Sequence, residues 1–330
     1  MTEQERTRWA MIGTGDMAGR IVEDFQRTEN IALTTVASRS ADNAAKFAAA
    51  WGIPHAVSTI EDVWAAADID AVYIATPHPA HFGLAKAAIG AGKHVLVEKP
   101  ITMTAAQARE LGELARRSGV FLMEAMWTRF VPAIRKVQEL VRAGEIGEVR
   151  SVQASFGFRF PFDPENRLWK AELGGGSTLD QGVYTVTIPY LLLGKPTSVD
   201  AWGTLTDAGV DSESTILMGF ARGERAFAST SMTTFLPISA AIGGTTGQIT
   251  LDPPFWSATG FTVHHDDFTK DEFSFPQEGN GYVPMLRAVS AAILSGQTEH
   301  ELNPLADTIE VLEIIEEAVR QIHSKNGNPN

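Results

Sequence analysis

Asp180 and Tyr184 stand four residues apart behind Gly174-Gly175-Gly176. A helix beginning near Ser177 would carry both on one face, about one turn apart. A carboxylate and a phenol so placed could handle a proton, but a phenol titrates near ~10 and is a poor base at neutral pH unless a cation stabilises its phenolate. Lys99, set between Glu98 and Pro100, is the candidate for that cation. A second group of residues points to a different task. Met11-Ile12-Gly13-Thr14-Gly15-Asp16-Met17-Ala18 fits GxGxxA between an apolar run and a helical one. Gly13 permits a tight turn, Gly15 lets backbone approach a diphosphate, and Ala18 allows close helix–strand packing. The amides of Asp16 and Met17, with Thr14 beside them, then face the anion at the helix start. At the end of the next strand, Val36-Ala37-Ser38-Arg39-Ser40 lacks the carboxylate that would bind a ribose 2′-hydroxyl. Ser38 and Arg39 suit a 2′-phosphate instead, so NADP is expected in preference to NAD, although Asp42 could also reach a ribose.

The elements that must position these groups follow from apolar periodicity. Strands are expected at Trp9–Gly13, Ile31–Ala37, Ala71–Ala75, His94–Val97 and Val120–Met123. Helices are expected at Met17–Arg27, Asn43–Ala50, around His81–Ile89 and at Thr104–Ser118. Apolar strands alternating with amphipathic helices imply a doubly wound parallel sheet covered on both faces, an N-terminal Rossmann domain over residues 1–125. The pattern then changes. After a helix at Pro132–Ala143 come candidate strands at Val149–Phe160, Ser198–Thr204, Thr215–Phe220, Arg225–Thr234, Gly247–Leu251 and Phe261–His265. One helix falls among them, near Thr178–Leu193, and two close the chain at Val283–Leu294 and Ala306–Ile322. Residues 126–330 are therefore expected to form an α+β domain for substrate binding and oligomerisation, with a mostly antiparallel open sheet and helices on one face. The closing Gly327-Asn328-Pro329-Asn330 is expected to fray.

Composition narrows the partners. A chain of 330 residues with a formal charge of -13 disfavours nucleic acid, whose phosphates are met by clustered Lys and Arg. A small molecule is expected. With no cysteine, disulfides, thiolate catalysis and Cys-based metal sites are excluded. A polar start and the lack of a long apolar run lead to the expectation of a cytoplasmic protein with no membrane contact. His78, His81, His264 and His265 suggest a metal, but the last two are neighbours on an expected strand and point to opposite faces, so none is expected.

The run Gly92-Lys93-His94-Val95-Leu96-Val97-Glu98-Lys99-Pro100, with the glycine turn and Ala75-Thr76-Pro77, resembles the Gfo/Idh/MocA oxidoreductases over essentially the whole chain. The resemblance implies that Lys99 points at the nicotinamide and the substrate hydroxyl, that Glu98 contacts the cofactor ribose, and that Pro100 fixes the loop. It also implies that Thr76, Pro77, His78 and His81 lie beside the cofactor. Most members carry histidine where this chain has Tyr184. Tyrosine there, with Glu124 to Phe130 upstream, looks like the branch of dimeric trans-dihydrodiol dehydrogenases and NADP-dependent D-xylose dehydrogenases.

The expected reaction is hydride transfer between nicotinamide and a secondary alcohol or ketone of a sugar, polyol or cyclic diol, with Lys99, Tyr184 and Asp180 catalytic. Lys99, Trp127, Arg129, Phe158, Asp180, Tyr184 and Trp256 are the expected substrate contacts, because aromatic faces suit the C–H faces of such molecules. Phe156, Phe158 and Phe160 alternate, which equally suits a core or a subunit interface on one sheet face. A homodimer or dimer of dimers is expected, since an open sheet leaves one face to cover. The alternatives are a keto-sugar or anhydro-sugar reductase and, in another class, a dinucleotide-sensing regulator without turnover. Retention of Lys99 with Tyr184 argues against the regulator.

Overall fold

The computed structural model describes residues 6–327; residues 1–5, and 328–330 of the closing tetrapeptide, lie outside it. The chain forms two compact units. One holds the chain up to Trp127 together with Gln277–Ile309, and the other holds Thr128–Pro276 with the chain from Glu310 onward.

In the first unit the elements run β1(Thr7–Ile12), α1(Asp16–Arg27), β2(Ile31–Ala37), α2(Ala41–Trp51), β3(His55–Val57), α3(Ile60–Ala65), β4(Ala71–Ile74), α4(His78–Gly90), β5(His94–Val97), α5(Ala105–Ser118) and β6(Leu122–Glu124). Six parallel strands lie in the order β3-β2-β1-β4-β5-β6, the Rossmann arrangement, whose order reverses between β1 and β4. The buried strands are mainly apolar because helices cover both faces, with Thr7, Thr35 and Glu124 as buried polar exceptions. α1 buries Ala18, Ile21, Val22 and Phe25 at helical spacing. Fully burying an aliphatic or aromatic side chain contributes about 1.5–3 kcal/mol, so this stripe anchors the helix whose start faces the glycine turn. Phe25 bridges the sheet, its ring edge-on to Trp9 at 5.5 Å and to Tyr73 at 5.4 Å.

α9(Val283–Leu294) belongs to this unit and not with the residues expected to form the α+β domain. The reason is polar as well as apolar. Buried Asp24 on α1 accepts hydrogen bonds from the amides of Asn280 and Tyr282, both at 2.8 Å. The hydroxyls of Ser290 and Thr7 lie 2.7 Å apart, and Tyr282 stacks on Trp127 with ring centres 4.4 Å apart.

The second unit is built on β7(Val149–Gly157), β8(Ser198–Leu205), β9(Asp211–Gly219), β10(Arg225–Ser231), β11(Leu236–Gly244), β12(Gly247–Leu251), β13(Gly260–His265) and β14(Lys270–Ser274). Their order is β14-β13-β12-β11-β7-β10-β9-β8, and all neighbours are antiparallel except β7 and β10. Helices α6(Pro132–Ala143), α7(Ser177–Asp180) and α8(Gly182–Leu193) also belong here, and α10(Leu305–Lys325) ends here. On β7, Val152 and Ala154 are buried while Ser151, Gln153 and Ser155 face outward. The register continues that outer face through Phe227 opposite Gln153, Leu217 opposite Phe227, and Trp202 opposite Thr215. Phe156 shares the inner parity and packs on Trp256 and Tyr184. The expected interface aromatics therefore do not line the open face. β7 ends at Gly157, so Phe158 and Phe160 lie beyond the strand, and Phe160 joins the buried cluster of Leu168, Trp169 and Met232.

No described helix is long and apolar enough to cross a membrane.

Candidate active site

In the first unit, the chain turns sharply between β1 and α1. Gly13 has φ +115°, and a β-carbon there would stand 2.4 Å from the Ala75 carbonyl oxygen. Only glycine tolerates both. Gly15 precedes α1 as its N-cap, and among the described residues no side chain caps that helix. A β-carbon on Gly15 would meet nothing within 4 Å, so open space lies before the first amides. Thr76 adds a buried hydroxyl with no partner among the described residues. An uncapped helix start, an unfilled approach and an orphaned donor fit a dinucleotide diphosphate.

The neighbouring positions divide in role. The Thr14 hydroxyl donates to Ser38 Oγ at 3.5 Å, and Arg39 is exposed at the end of β2. Asp42 is ion-paired with Lys46 at 2.6 Å, one helical turn away. His81 is fully buried, with its ring nitrogens each 2.8 Å from a backbone carbonyl, Nδ1 at Pro100 and Nε2 at Thr76. It therefore holds together the loops after β4 and β5. His78, also buried, opens α4 with its ring 5.7 Å from that of His81.

Glu98 is buried, accepting from the Tyr73 hydroxyl through Oε1 and from the Lys99 amide at 3.0 Å through Oε2. Tyr73 was not singled out in the sequence, yet its phenol in an otherwise aliphatic buried strand needed a polar partner. Lys99 itself is half-buried, and Pro100 follows it through a cis peptide bond. Trp127 is 5% exposed and stacked on Tyr282.

In the second unit, the expected single helix over Asp180 and Tyr184 is interrupted. α7 ends at Asp180, and α8 begins at Gly182 after Gln181. The amide of Gln181 still donates to the Ser177 carbonyl, but the Tyr184 amide closes the tighter bond to Gln181. The two side chains thus sit on successive helices joined at Gln181, whose backbone keeps helical angles. Asp180 is ion-paired with Arg167, Oδ1 to Nη2 at 3.0 Å. Arg167 went unnoticed in the sequence because thirteen residues and three glycines separate it from its partner.

Those glycines bring the pair together. A β-carbon on Gly175 would stand 2.6–2.8 Å from the carbonyl oxygens of Leu168, Arg167 and Lys170. Tyr184 is 8% exposed, with Trp256 at 5.7 Å and Phe156 at 6.1 Å between ring centres. Phe158 extends this aromatic wall edge-on to Phe156 at 5.6 Å. Arg129 is buried with its guanidinium 5.8 Å from the Tyr190 ring centre.

Among the histidines, His265 pairs with Asp271 at 3.0 Å, which raises its pKa. Glu145 joins them, one ligand atom from each lying within 4.8 Å of the others. His264 faces the other side of β13, paired in register with Gln248.

A parallel sheet in Rossmann order with an uncapped glycine turn at the head of α1 defines a dinucleotide-binding protein. Comparisons with known proteins carry this further. Residues 7–126 match the family model described as "Oxidoreductase family, NAD-binding Rossmann fold", and residues 134–250 match the "GFO/IDH/MocA C-terminal domain". The chain belongs to the Gfo/Idh/MocA oxidoreductases and is an NAD(P)-dependent enzyme. It is 34% identical to trans-1,2-dihydrobenzene-1,2-diol dehydrogenase of Xenopus laevis, over 96% of this chain and 98% of the relative. Among solved structures it is similar to a 3-ketoreductase from Actinomadura kijaniata in complex with NADP and TDP-benzene, with 27% identity, a TM-score of 0.85 and coverage of 98% of each chain. Aldose-aldose oxidoreductase from Caulobacter crescentus, complexed with glycerol, is 25% identical with a TM-score of 0.88, over 97% of this chain and 98% of that one.

Proposed function

We propose that the chain interconverts a secondary alcohol and a ketone on a sugar, polyol or cyclic diol, with NADP preferred over NAD. The observation that carries this reading is the Tyr184 phenol, nearly buried against the rings of Phe156 and Trp256. Aromatic faces accept the C–H faces of a pyranose or a dihydroaromatic ring, and the relatives named above act on molecules of those kinds. When bound, the nicotinamide supplies hydride donor and acceptor chemistry at its C4 carbon.

The protein's work is placement and proton handling. Gly13 to Ala18 hold the diphosphate at the start of α1, and Ser38 with Arg39 receive the 2′-phosphate. Thr76, Pro77, His78, Glu98 and Pro100 shape the remaining cofactor contacts, with His81 holding two of their loops. Tyr184 accepts the substrate hydroxyl proton during oxidation and returns it during reduction, while Lys99 lowers the pKa of the phenol. Asp180, fixed by Arg167, accepts a second substrate hydroxyl. Trp127, Arg129, Phe158 and Trp256 complete the expected substrate contacts, and no metal takes part. In this division the unit that contains the first sheet serves the cofactor, while the unit built on the second sheet serves substrate and assembly.

Tyr184→Phe keeps the ring and removes only the hydroxyl. Turnover is expected to fall by roughly 10²–10⁴ with little change in cofactor affinity, the span typical of general acid–base catalysis. Lys99→Met should cost at least as much, and the double variant little more than either alone, because both act on one proton. Near-normal turnover of Tyr184→Phe, followed at 340 nm with a panel of sugars and diols in both directions, would sink the assignment. The panel also decides between a dehydrogenase and a keto-sugar reductase.

A dimer and a cytoplasmic location go with this reading. The open face of the second sheet, with Trp202 51% and Phe227 39% exposed, is the surface a second copy would cover. Light scattering should give the mass of two chains, and the mass of one at micromolar concentration would contradict it.

A further inference from the structure

Asp211 opens β9, some thirty residues after Tyr184 in the chain, and is 3% exposed. Its Oδ2 accepts three hydrogen bonds, from Ser177 Oγ, the Thr178 amide and Thr178 Oγ1, each at 2.7 Å. These are the first two residues of α7. Gly176, the N-cap of that helix, has no side chain to offer, and its φ of +110° excludes the usual capping residues. A β-carbon there would also stand 2.5 Å from Asp211 Oδ1. The carboxylate thus caps α7 from a distant strand, doing what a serine or aspartate does at an ordinary N-cap.

The cap is itself anchored. Thr230 Oγ1 donates to Ser177 Oγ at 2.8 Å, and Ser214 lies 2.8 Å from Thr230. Since the Thr230 proton is already given to Ser177, the Ser214 hydroxyl donates to Thr230. Asp211, Ser177, Thr178, Thr230 and Ser214 are all buried. From α7 the order passes along backbone bonds, Asp180 amide to Gly176 carbonyl, Gln181 amide to Ser177 carbonyl, and Tyr184 amide to Gln181 carbonyl.

We propose that Asp211 is a positioning residue for the reaction: by capping α7 from β9 it sets the turn at Gln181, and with it the direction of Asp180 and Tyr184. The inference rests on the reading of Tyr184 as acid/base. Gln181 joins the four-residue α7 to α8 through only a few backbone bonds of mixed spacing, and the glycines before α7 supply no side chain to fix its start. The carboxylate supplies the missing constraint with three directed bonds.

Asp211→Asn keeps a carbonyl oxygen with two lone pairs for the donors of Ser177 and Thr178, whereas Asp211→Leu fills the space and accepts none. The Asn variant should turn over within a few-fold of wild type. The Leu variant should lose at least tenfold in kcat, with the NADPH dissociation constant unchanged within twofold and kcat expressed per NADPH-binding site. A merely structural role would lower the melting temperature and the number of such sites but leave kcat per site intact. If Asp211→Leu does not fold, Ser177→Ala and Thr178→Val each remove one donor and should lower kcat per site several-fold. Wild-type kcat per site in Asp211→Leu, or in both single-donor variants, would overturn the inference, as would an Asn variant as slow as the Leu variant. Tyr184→Phe assayed alongside separates the two claims. If it turns over normally, the reading of Tyr184 fails; if it is slow while Asp211→Leu is fast, only the positioning role fails.

Discussion

Two glycine turns open helices in this protein, and their amides meet opposite fates. At the head of α1, Gly13 and Gly15 leave the helix start uncapped by any side chain among the described residues, and Gly15 has open space beside it. At the head of α7, Gly174 to Gly176 bring the chain so close to β9 that Asp211 accepts from the Thr178 amide and fills the position. One turn leaves room for an anion from outside; the other is occupied by the protein's own carboxylate. Glycine content alone therefore does not mark a ligand site. What marks it is whether an internal acceptor answers the freed amides.

Alanine substitutions break the comparison most sharply. Gly13→Ala and Gly176→Ala each force a β-carbon into an oxygen at a positive φ, and each should cost on the order of 3 kcal/mol or more in denaturant unfolding. Gly15→Ala has room and should leave unfolding almost unchanged, yet on the proposed reading its methyl would stand in the path of the diphosphate. Weakening of NADPH binding by about 1–3 kcal/mol is expected, the usual cost of overpacking. Equal effects of Gly15→Ala and Gly176→Ala on both measurements would erase the distinction between the turns.

A smaller change sharpens the identity of the anion. Arg39→Ala should weaken NADP by roughly 1.5–3 kcal/mol, the range for a hydrogen bond to a charged group, and leave NAD nearly unchanged. Calorimetric titration with both cofactors would show it, and equal losses would mean that Arg39 does not read the 2′-phosphate.

The smallest effect is a matter of pH. Burial pushes the Asp211 carboxyl up, only partly offset by its hydrogen bonds from Ser177 and Thr178. The folded protein then holds that proton at pH values where the unfolded chain has lost it, so this group's contribution to stability declines as pH rises through the folded value. Asp70 in the first unit behaves in the opposite way. Burial acts to raise it, but hydrogen bonds and charge from Arg8 outweigh this and hold it below the usual carboxylate range. Its contribution is present above the unfolded pKa and is lost as pH falls through the folded one. From pH 4 to 7 the unfolding free energy should therefore improve for Asp211→Asn relative to wild type, whereas that of Asp70→Asn should fall behind wild type as pH rises from about 2 to about 4. Parallel curves would show that neither carboxyl is perturbed.

Much of the first unit was legible because its strands are continuous apolar runs and its helices have one apolar stripe. The three-residue β3 was not, since His-Ala-Val is too short and too exposed at the sheet edge to show a period. In the second unit β11 was missed although it lies inside the sheet. Leu-Pro-Ile-Ser-Ala-Ala-Ile-Gly-Gly is poor in the β-branched and aromatic residues that announce a strand. β14, Lys-Asp-Glu-Phe-Ser, carries the charges of an edge strand and reads as a loop. For the candidate site, the glycine turn and the Glu98-Lys99-Pro100 run announce themselves through local order. Asp211 does not, because a carboxylate in Val-Asp-Ser-Glu-Ser has no sequence sign of the helix it caps.

The grip of Asp24 on the amides of Asn280 and Tyr282 has a consequence for how the molecule comes into being. The N-terminal Rossmann sheet emerges from the ribosome long before its last partner helix, which follows all the strands of the second unit. Until then Asp24 is a carboxylate awaiting its donors, and the side of α1 that will meet α9 is wet. Synthesis thus passes through a stage in which the first-made unit is incomplete and the second already has its whole sheet. A fragment stopped at Trp127 should remain loosely packed and prone to proteolysis, however complete its six strands.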